Sequence, residues 1–530
     1  MKPICTDVSD FETLRKAGQL YVDKTAYFHR LVTDPSRKYF FCARPRRFGK
    51  SLGVTTLKSI FLGHRAAFEG LAISRTDYDW KPHAVIHFNW GGVDVTSIDN
   101  FTDTLRASVE TSLLKAGYAY DAKESPSVNL NRAISFFYAK DGVGPAILID
   151  EYDDPVAKSL ADPDRAETIR SRLASIYAQF KDNSDQIRFL FITGVSKFTK
   201  LSIFSTLSNM NDISFDSDYA ALFGYTEEEL EANFDGYMRL HAEKMKLSYD
   251  AYRAELKRWF NGYRFARLNP VTVYNPVSIN LMLFGREPEF RGTWTQTGRP
   301  SMLMNFIKRE GLLALDYEKG IVAREHDFDV SDIRNLGAVA MLYQTGYLTI
   351  ADYADGRYLL KVPDEEVSRD LMTLVAAEAA RKDESWVGRI CDHLRDAEFD
   401  LFFAGIKSLF AHLPYGSCEG AVHEMSYERA LLVLFRSEGF DVVCEDRQAT
   451  GRSDMTVKFR QAICIFELKR DESAAAALRQ IREKGYAEPY RADGRPLYLI
   501  GLSFDSRTRQ LTDAAWEAFA PVRQSRSVWP

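Results

Sequence analysis

Gly49, Lys50 and Ser51 stand after the short apolar run Tyr39–Ala43 and close the basic segment Arg44-Pro45-Arg46-Arg47-Phe48. A loop that wraps phosphates needs inward-pointing backbone N–H groups, a lysine that reaches the β- and γ-phosphates, and a hydroxyl for Mg²⁺, with a helix N-terminus behind them. Gly49, Lys50 and Ser51 meet those needs in order, and Arg44, Arg46 and Arg47 add positive charge beside Phe48. The usual first glycine of such a loop is replaced by Arg44, which argues for a differently shaped start. A basic surface turn ahead of a helix would explain the same residues by themselves. The run Ala146-Ile147-Leu148-Ile149-Asp150-Glu151 favours a nucleoside triphosphate site, because an apolar strand ending in two carboxylates is costly unless they have partners. In that reading Asp150 holds Mg²⁺ through water and Glu151 polarises the attacking water.

A second constellation lies near the other end. Asp454 precedes the apolar run Ile463-Cys464-Ile465-Phe466, which ends in Glu467-Leu468-Lys469. On a strand, Glu467 and Lys469 project to one face because side chains alternate with period two. A carboxylate on a neighbouring strand completes a metal-dependent nuclease arrangement: Asp454 and Glu467 share Mg²⁺, and Lys469 holds or deprotonates the nucleophile. Glu-x-Lys also occurs on solvated faces, but the run before it is too apolar for a solvated edge. The polar helix that follows carries Gln480, Lys484 and Tyr486, which would face this site, phosphates or plain solvent.

The elements that must position these residues are legible in outline. Residues 1–224 alternate strand-like and helix-like segments, predicting a mostly parallel sheet with strands over Tyr39–Ala43, 84–88, 146–149 and 187–193, and helices over Ile98–Ala116 and 164–180. Ligands of such sheets bind at the carboxyl ends of the strands, where Lys50, Asp150 and Thr193 fall. Thr193, with Ser196 and Lys197 after it, is a candidate γ-phosphate sensor, or simply part of a Thr-Gly turn. From 225 to 415 the pattern turns helical, with Thr226 as an N-cap ahead of Glu227, Glu228 and Glu229. Arg264, in an aromatic cluster that otherwise reads as core, is a candidate lid residue or an arginine acting in trans. Asp355-Gly356 predicts a hairpin, and helices followed by a hairpin suit a winged-helix unit that binds DNA or merely packs. Residues 416–530 form the last α/β domain.

The chain has 530 residues, 45% of them hydrophobic, and a formal net charge of −5. That balance gives no global pull towards nucleic acid, so any such binding must come from local basic patches. Six cysteines are scattered without metal-ligand spacing, as expected of reduced thiols. No apolar run long enough for a membrane span and no signal-peptide core is apparent, and a cytoplasmic location is expected.

With both constellations in hand, the chain resembles a bacterial family that joins an AAA-ATPase-like domain to a C-terminal PD-(D/E)XK nuclease-like domain. The resemblance rests on Tyr21-Val22-Asp23-Lys24-Thr25, Arg44–Ser51, Leu148–Asp153, Asn261-Gly262-Tyr263, Tyr274-Asn275-Pro276, Asp454 and Glu467-Leu468-Lys469. It implies an AAA-like P-loop NTPase domain, a helical or winged-helix middle and a restriction-endonuclease-like end. It also implies ATP and Mg²⁺ as cofactors, ATPase residues at Lys50, Ser51, Asp150 and Glu151, and nuclease residues at Glu428, Asp454, Glu467, Lys469 and Gln480. Ser453 stands where the superfamily's named proline would be. The expected partner is nucleic acid, most directly DNA, and ATPases of this kind often borrow a neighbour's arginine, which makes a homo-oligomer an expectation. An interaction ATPase whose last domain binds without cutting is the rival reading.

Overall fold

The computed structural model describes residues 1–197, 209–285, 287–292, 294, 319–328, 337–412, 425–448, 451–508 and 510–519. The expected boundary at 415–416 and Cys418 lie outside these residues. The described residues up to Glu366 form one compact unit and those from Val367 onward a second.

The first unit is built on five parallel strands, β1 (Tyr39–Ala43), β2 (Val85–Asn89), β3 (Ala146–Asp150), β4 (Phe189–Gly194) and β5 (Asn211–Asp212). Their order is β2-β3-β4-β1-β5. Every residue of β1, β3 and β4 is buried, as expected where helices cover both faces of a parallel sheet. The helices Ile98–Ala116, Pro126–Asp141 and Pro163–Asp182 supply Val109, Leu130, Ile134, Leu173 and Ile176 to a core shared with Ile86, Phe88, Ile147 and Ile149. Ser97, Ser125 and Asp162 cap these helices by accepting a backbone N–H in the first turn. The strand order has one consequence for chemistry. β4 lies between β1 and β3, so the segment after Gly194 emerges between the basic loop and the acidic strand end.

Residues 227–284 contribute the helices Glu227–Lys244, Tyr249–Phe260 and Pro276–Phe284, with the short pair β6 (Asn261–Tyr263) and β7 (Val273–Tyr274). Thr226 is the N-cap that the sequence predicts, and with Glu229 it forms a reciprocal capping box. The expected hairpin is present as β9 (Thr349–Ala354) and β10 (Arg357–Lys361), turned through Asp355 and Gly356 at φ 51° and 73°. β8 (Ile321–Arg324) adds a third antiparallel strand in the order β8-β10-β9, which the sequence did not announce.

The second unit holds a mixed sheet of β11 (Asp441–Gln448), β12 (Gly451–Lys458), β13 (Ile463–Arg470), β14 (Leu497–Phe504) and β15 (Leu511–Ala518), in that order. β11, β12 and β13 run antiparallel; β13 and β14 run parallel. A parallel pair requires a crossover, provided here by the helix Ala474–Lys484. Among the described residues no helix is long and apolar enough to cross a membrane.

Candidate nucleotide and metal sites

The basic loop reverses the chain between β1 and the helix Lys50–Phe61 through Arg47 at φ 72° and Gly49 at φ 82°. A Cβ on Gly49 would meet no neighbour, so the glycine serves the left-handed conformation rather than space. Gly49 caps the helix without a side-chain acceptor, leaving the first-turn N–H groups to face an anion. Lys50 is buried, and its Nζ donates to the carbonyls of Arg44 (3.0 Å) and Pro45 (2.8 Å). Burial lowers its pKa, while Asp150 and Asp153 oppose that shift.

At the end of β3, the buried Asp150 accepts the N–H of Glu151 at 2.9 Å. Glu151 is held at φ 53°, a conformation that costs a non-glycine residue and recurs at functional positions. Its carboxyl tip lies where a side chain on Gly91 would begin. Burial, then the charges of Asp150 and Asp154, raise its pKa, which suits a group that takes a proton. Asp153 is buried and accepts from Ser196 N (2.7 Å), Ser196 Oγ (2.5 Å) and Val195 N (3.2 Å), tying the segment after β4 to the acidic end of β3. A cavity of about 570 Å³ runs along the loop from Arg46 to Ser51 and reaches Glu151, Lys24 and Tyr225. That is room for a nucleotide-sized ligand.

In the second unit, Lys469 Nζ donates to Gln480 Oε1 at 2.6 Å and lies 3.2 Å from Glu467 Oε1. The Gln480 amide also donates to Glu467 Oε1. Asp454 Oδ2 accepts the Leu468 N–H at 2.7 Å, which fixes it across from this strand end. Burial, then the charge of Asp454, pushes the Glu467 pKa up to about 7. Glu467 Oε2 is buried and accepts no hydrogen bond from a described residue. A buried carboxylate oxygen without a donor, beside a second carboxylate, is the donor set a divalent cation takes. Among the described residues no group of three or more carboxylate, histidine or cysteine side chains is placed to hold a metal ion; Asp454 and Glu467 form a pair.

A family profile described as "Predicted AAA-ATPase" matches residues 5–204, and one described as "PD-(D/E)XK nuclease superfamily" matches residues 422–514. A protein of Azotobacter chroococcum mcd 1, described as an uncharacterised protein in the vnfD 5′ region, is 33% identical over 527 residues, covering 96% of this chain and 98% of its own. This chain belongs to the AAA-ATPase-like family with a C-terminal PD-(D/E)XK nuclease-superfamily domain.

Not every residue expected to serve this family's two sites faces one. Arg44 is 2% exposed and gives Nη1 to the carbonyls of Ala43 (2.9 Å) and Ser214 (2.7 Å) and Nη2 to that of Tyr219 (3.2 Å). It braces the loop's start where a glycine usually stands. Phe48 is buried edge-on against Tyr263 and Phe265, although it also borders the cavity. The Thr193 hydroxyl donates to the Cys42 carbonyl at 2.7 Å, joining β4 to β1. Lys197 pairs with Asp212 at 3.0 Å, and Arg264 donates to the carbonyls of Ala266 and Ala351. Ser51 and Arg47 do line the cavity. Glu428 lies in the first turn of the helix Met425–Ser437, which packs on β11 and β12. Tyr486 belongs to the apolar core with Ile465 and Leu499, and Lys484 is exposed.

Sequence reasoning gave Asp153 no role beyond its place in the Leu148–Asp153 run and did not single out Asp154, Lys158 or Gly91. Asp153 and Asp154 directly follow the acidic strand end, and their charge density was the available signal. Lys158 donates to the Gly91 carbonyl at 2.8 Å and pairs with Asp154 at 2.5 Å, a bridge between β2 and β3 that sequence spacing alone does not reveal.

Proposed function

We propose that this protein hydrolyses ATP at the Gly49–Ser51 loop and cleaves DNA at Asp454, Glu467 and Lys469, with nucleotide state controlling cleavage. The observation that carries the nuclease half is the cluster in which Lys469 and Gln480 hold one oxygen of Glu467 while the other is buried without a donor, beside Asp454. Asp454 and Glu467 would hold a divalent cation there, and Ser51 and Asp150 the Mg²⁺ that accompanies ATP. Such an ion supplies, when bound, polarisation of phosphoryl oxygens and a more acidic water. Lys469 orients the attacking water or takes its proton, and Gln480 keeps the ammonium in place. At the other site Lys50 neutralises the β- and γ-phosphates, and Glu151, with its raised proton affinity, polarises the attacking water.

Control by nucleotide is supported by where the chain runs. The helix Ala338–Thr345, just before the β9–β10 hairpin, presents Met341 and Gln344 to a small cavity shared with Glu151, Asp153 and Ser196. Farther on, the helix Glu365–Ala380 begins in the first unit and continues into the second. Phosphate chemistry reads backbone rather than base identity, so sequence-independent cleavage is expected.

The test is ATP turnover and plasmid cleavage by the purified protein in Mg²⁺ or Mn²⁺. Lys50→Ala should abolish turnover, and Lys469→Ala should abolish cleavage. A Lys469→Ala protein that cuts as well as its parent overturns the nuclease assignment, and a parent that binds DNA without cutting it favours an interaction ATPase.

A further inference from the structure

The loop carries three arginines, and the structure gives them different work. Arg44 is spent on carbonyls, and its guanidinium lies 4.3 Å from the centre of the Phe265 ring. Arg47 lies over the Trp294 ring at 5.6 Å. The Arg46 side chain is 48% exposed and pairs with Asp154 at 3.3 Å. It borders the large cavity together with Lys50 and Ser51, and also the smaller one lined by Glu151, Asp153 and Ser196. Its positive charge is felt at both Lys50 and Glu151. Arg46 therefore stands between the lysine that meets the phosphates and the carboxylate that meets the water.

Its present partner can release it cheaply. Asp154, whose side chain is 11% exposed, keeps the Lys158 ammonium at 2.5 Å as its counter-charge when Arg46 leaves, and the Arg46 end of the pair is solvated. A guanidinium presents a planar fork of donors that matches phosphoryl oxygens.

We propose that Arg46 is a catalytic residue of ATP hydrolysis, moving from Asp154 onto the γ-phosphoryl oxygens of the same chain's nucleotide. The inference rests on the ATPase reading above. In the step it serves, the water oxygen bonds to the γ-phosphorus as the bond from that phosphorus to the β–γ bridging oxygen breaks. The bridging oxygen leaves with the electron pair as part of ADP, the water proton passes to Glu151, and Arg46 neutralises charge that grows on the γ-phosphoryl oxygens. With the arginine supplied in cis, turnover needs no neighbouring subunit.

The experiment compares the full-length parent with Arg46→Ala, measuring ATP turnover, ADP affinity, and ADP affinity with aluminium fluoride, which mimics the transferring phosphoryl group. Turnover should fall by about 100-fold or more, ADP affinity should stay at the parent's value, and the tightening by aluminium fluoride should vanish. Unchanged ADP affinity shows that the variant is folded. Turnover per molecule of the parent should also be the same across a wide dilution series. The proposal is overturned if Arg46→Ala keeps its turnover and the aluminium fluoride effect. It is equally overturned if mixing Arg46→Ala with Lys50→Ala restores activity, because the arginine then acts between chains. A parent that binds no ATP removes the ATPase reading itself, whereas a parent that turns over ATP while Arg46→Ala matches it removes only this inference.

Discussion

Glu467 holds its proton more tightly than an ordinary glutamate because it is buried beside Asp454, and its pKa moves from 4.5 to about 7. The folded second unit therefore binds that proton better than the unfolded chain does. The stabilising contribution is complete below about pH 4.5 and is lost as pH rises through about 7. The shift corresponds to a penalty on the order of 3 kcal/mol for the ionised form. Thermal melting of metal-free protein should show stability falling over that window, Glu467→Gln should flatten the fall, and Mg²⁺ or Mn²⁺ should restore stability at pH 8 in the parent only. At the other site Glu151 occupies the space where a Gly91 side chain would start. Gly91→Ala should push that flexible carboxylate aside and slow ATP turnover while leaving ATP affinity unchanged, a split that steady-state kinetics and binding titration separate. The residues named from sequence divide along physical lines. Glu151, Glu467 and Lys469 stood out because charges at the end of an apolar run have few structural uses, Lys50 because it follows a glycine at the start of a helix, and Asp454 only through the Glu467–Lys469 pair that it precedes. Arg44 and Thr193 turn elsewhere, because neither place in a loop nor place at a strand end fixes side-chain direction. Arg44 turns back to bind the Ser214 carbonyl, a partner 170 residues away.

Among the elements, helix and strand cores were readable where local rules and burial agree. The helix Ile98–Ala116 falls on its expected bounds, between a serine cap and Gly117 at φ 94°, and β1 falls on its apolar run. The N-cap at Thr226 was equally plain. It has a partner that was not, since Lys24 reaches Glu229, pairing with Oε2 at 2.5 Å and the Ala221 carbonyl at 2.8 Å. The N-terminal segment is thus pinned to the start of the helix Glu227–Lys244. Thr226→Ala removes the acceptor of the Glu229 N–H and should cost about 1 kcal/mol, read as a lower denaturant midpoint for the first unit. An unchanged midpoint would mean that the Lys24 pairing alone holds the helix start. β5 and β8 escaped sequence reading because they are two and four residues long and pair with strands remote in the chain, so no local period marks them.

Taken as a whole, the molecule carries a Gly-Lys-Ser loop beside an acidic strand end in one unit and a lysine–carboxylate cluster in the other. Both clusters stand out in the sequence, but not the helix Ala338–Thr345 beside the cavity of Glu151, Asp153 and Ser196, because contacts so remote in sequence have no local signature. In the function proposed above, nucleotide at the Gly49–Ser51 loop governs cleavage at Asp454 and Glu467. That control is tested most directly by measuring plasmid cleavage in Mg²⁺ with no nucleotide, with ATP and with a slowly hydrolysed ATP analogue, for the parent, Lys50→Ala and Glu467→Ala. Cleavage by the parent should change with nucleotide, Lys50→Ala should cut at a rate indifferent to nucleotide, and Glu467→Ala should not cut. A parent whose cleavage is the same in all three conditions, or a Glu467→Ala protein that still cuts, would contradict the proposed function.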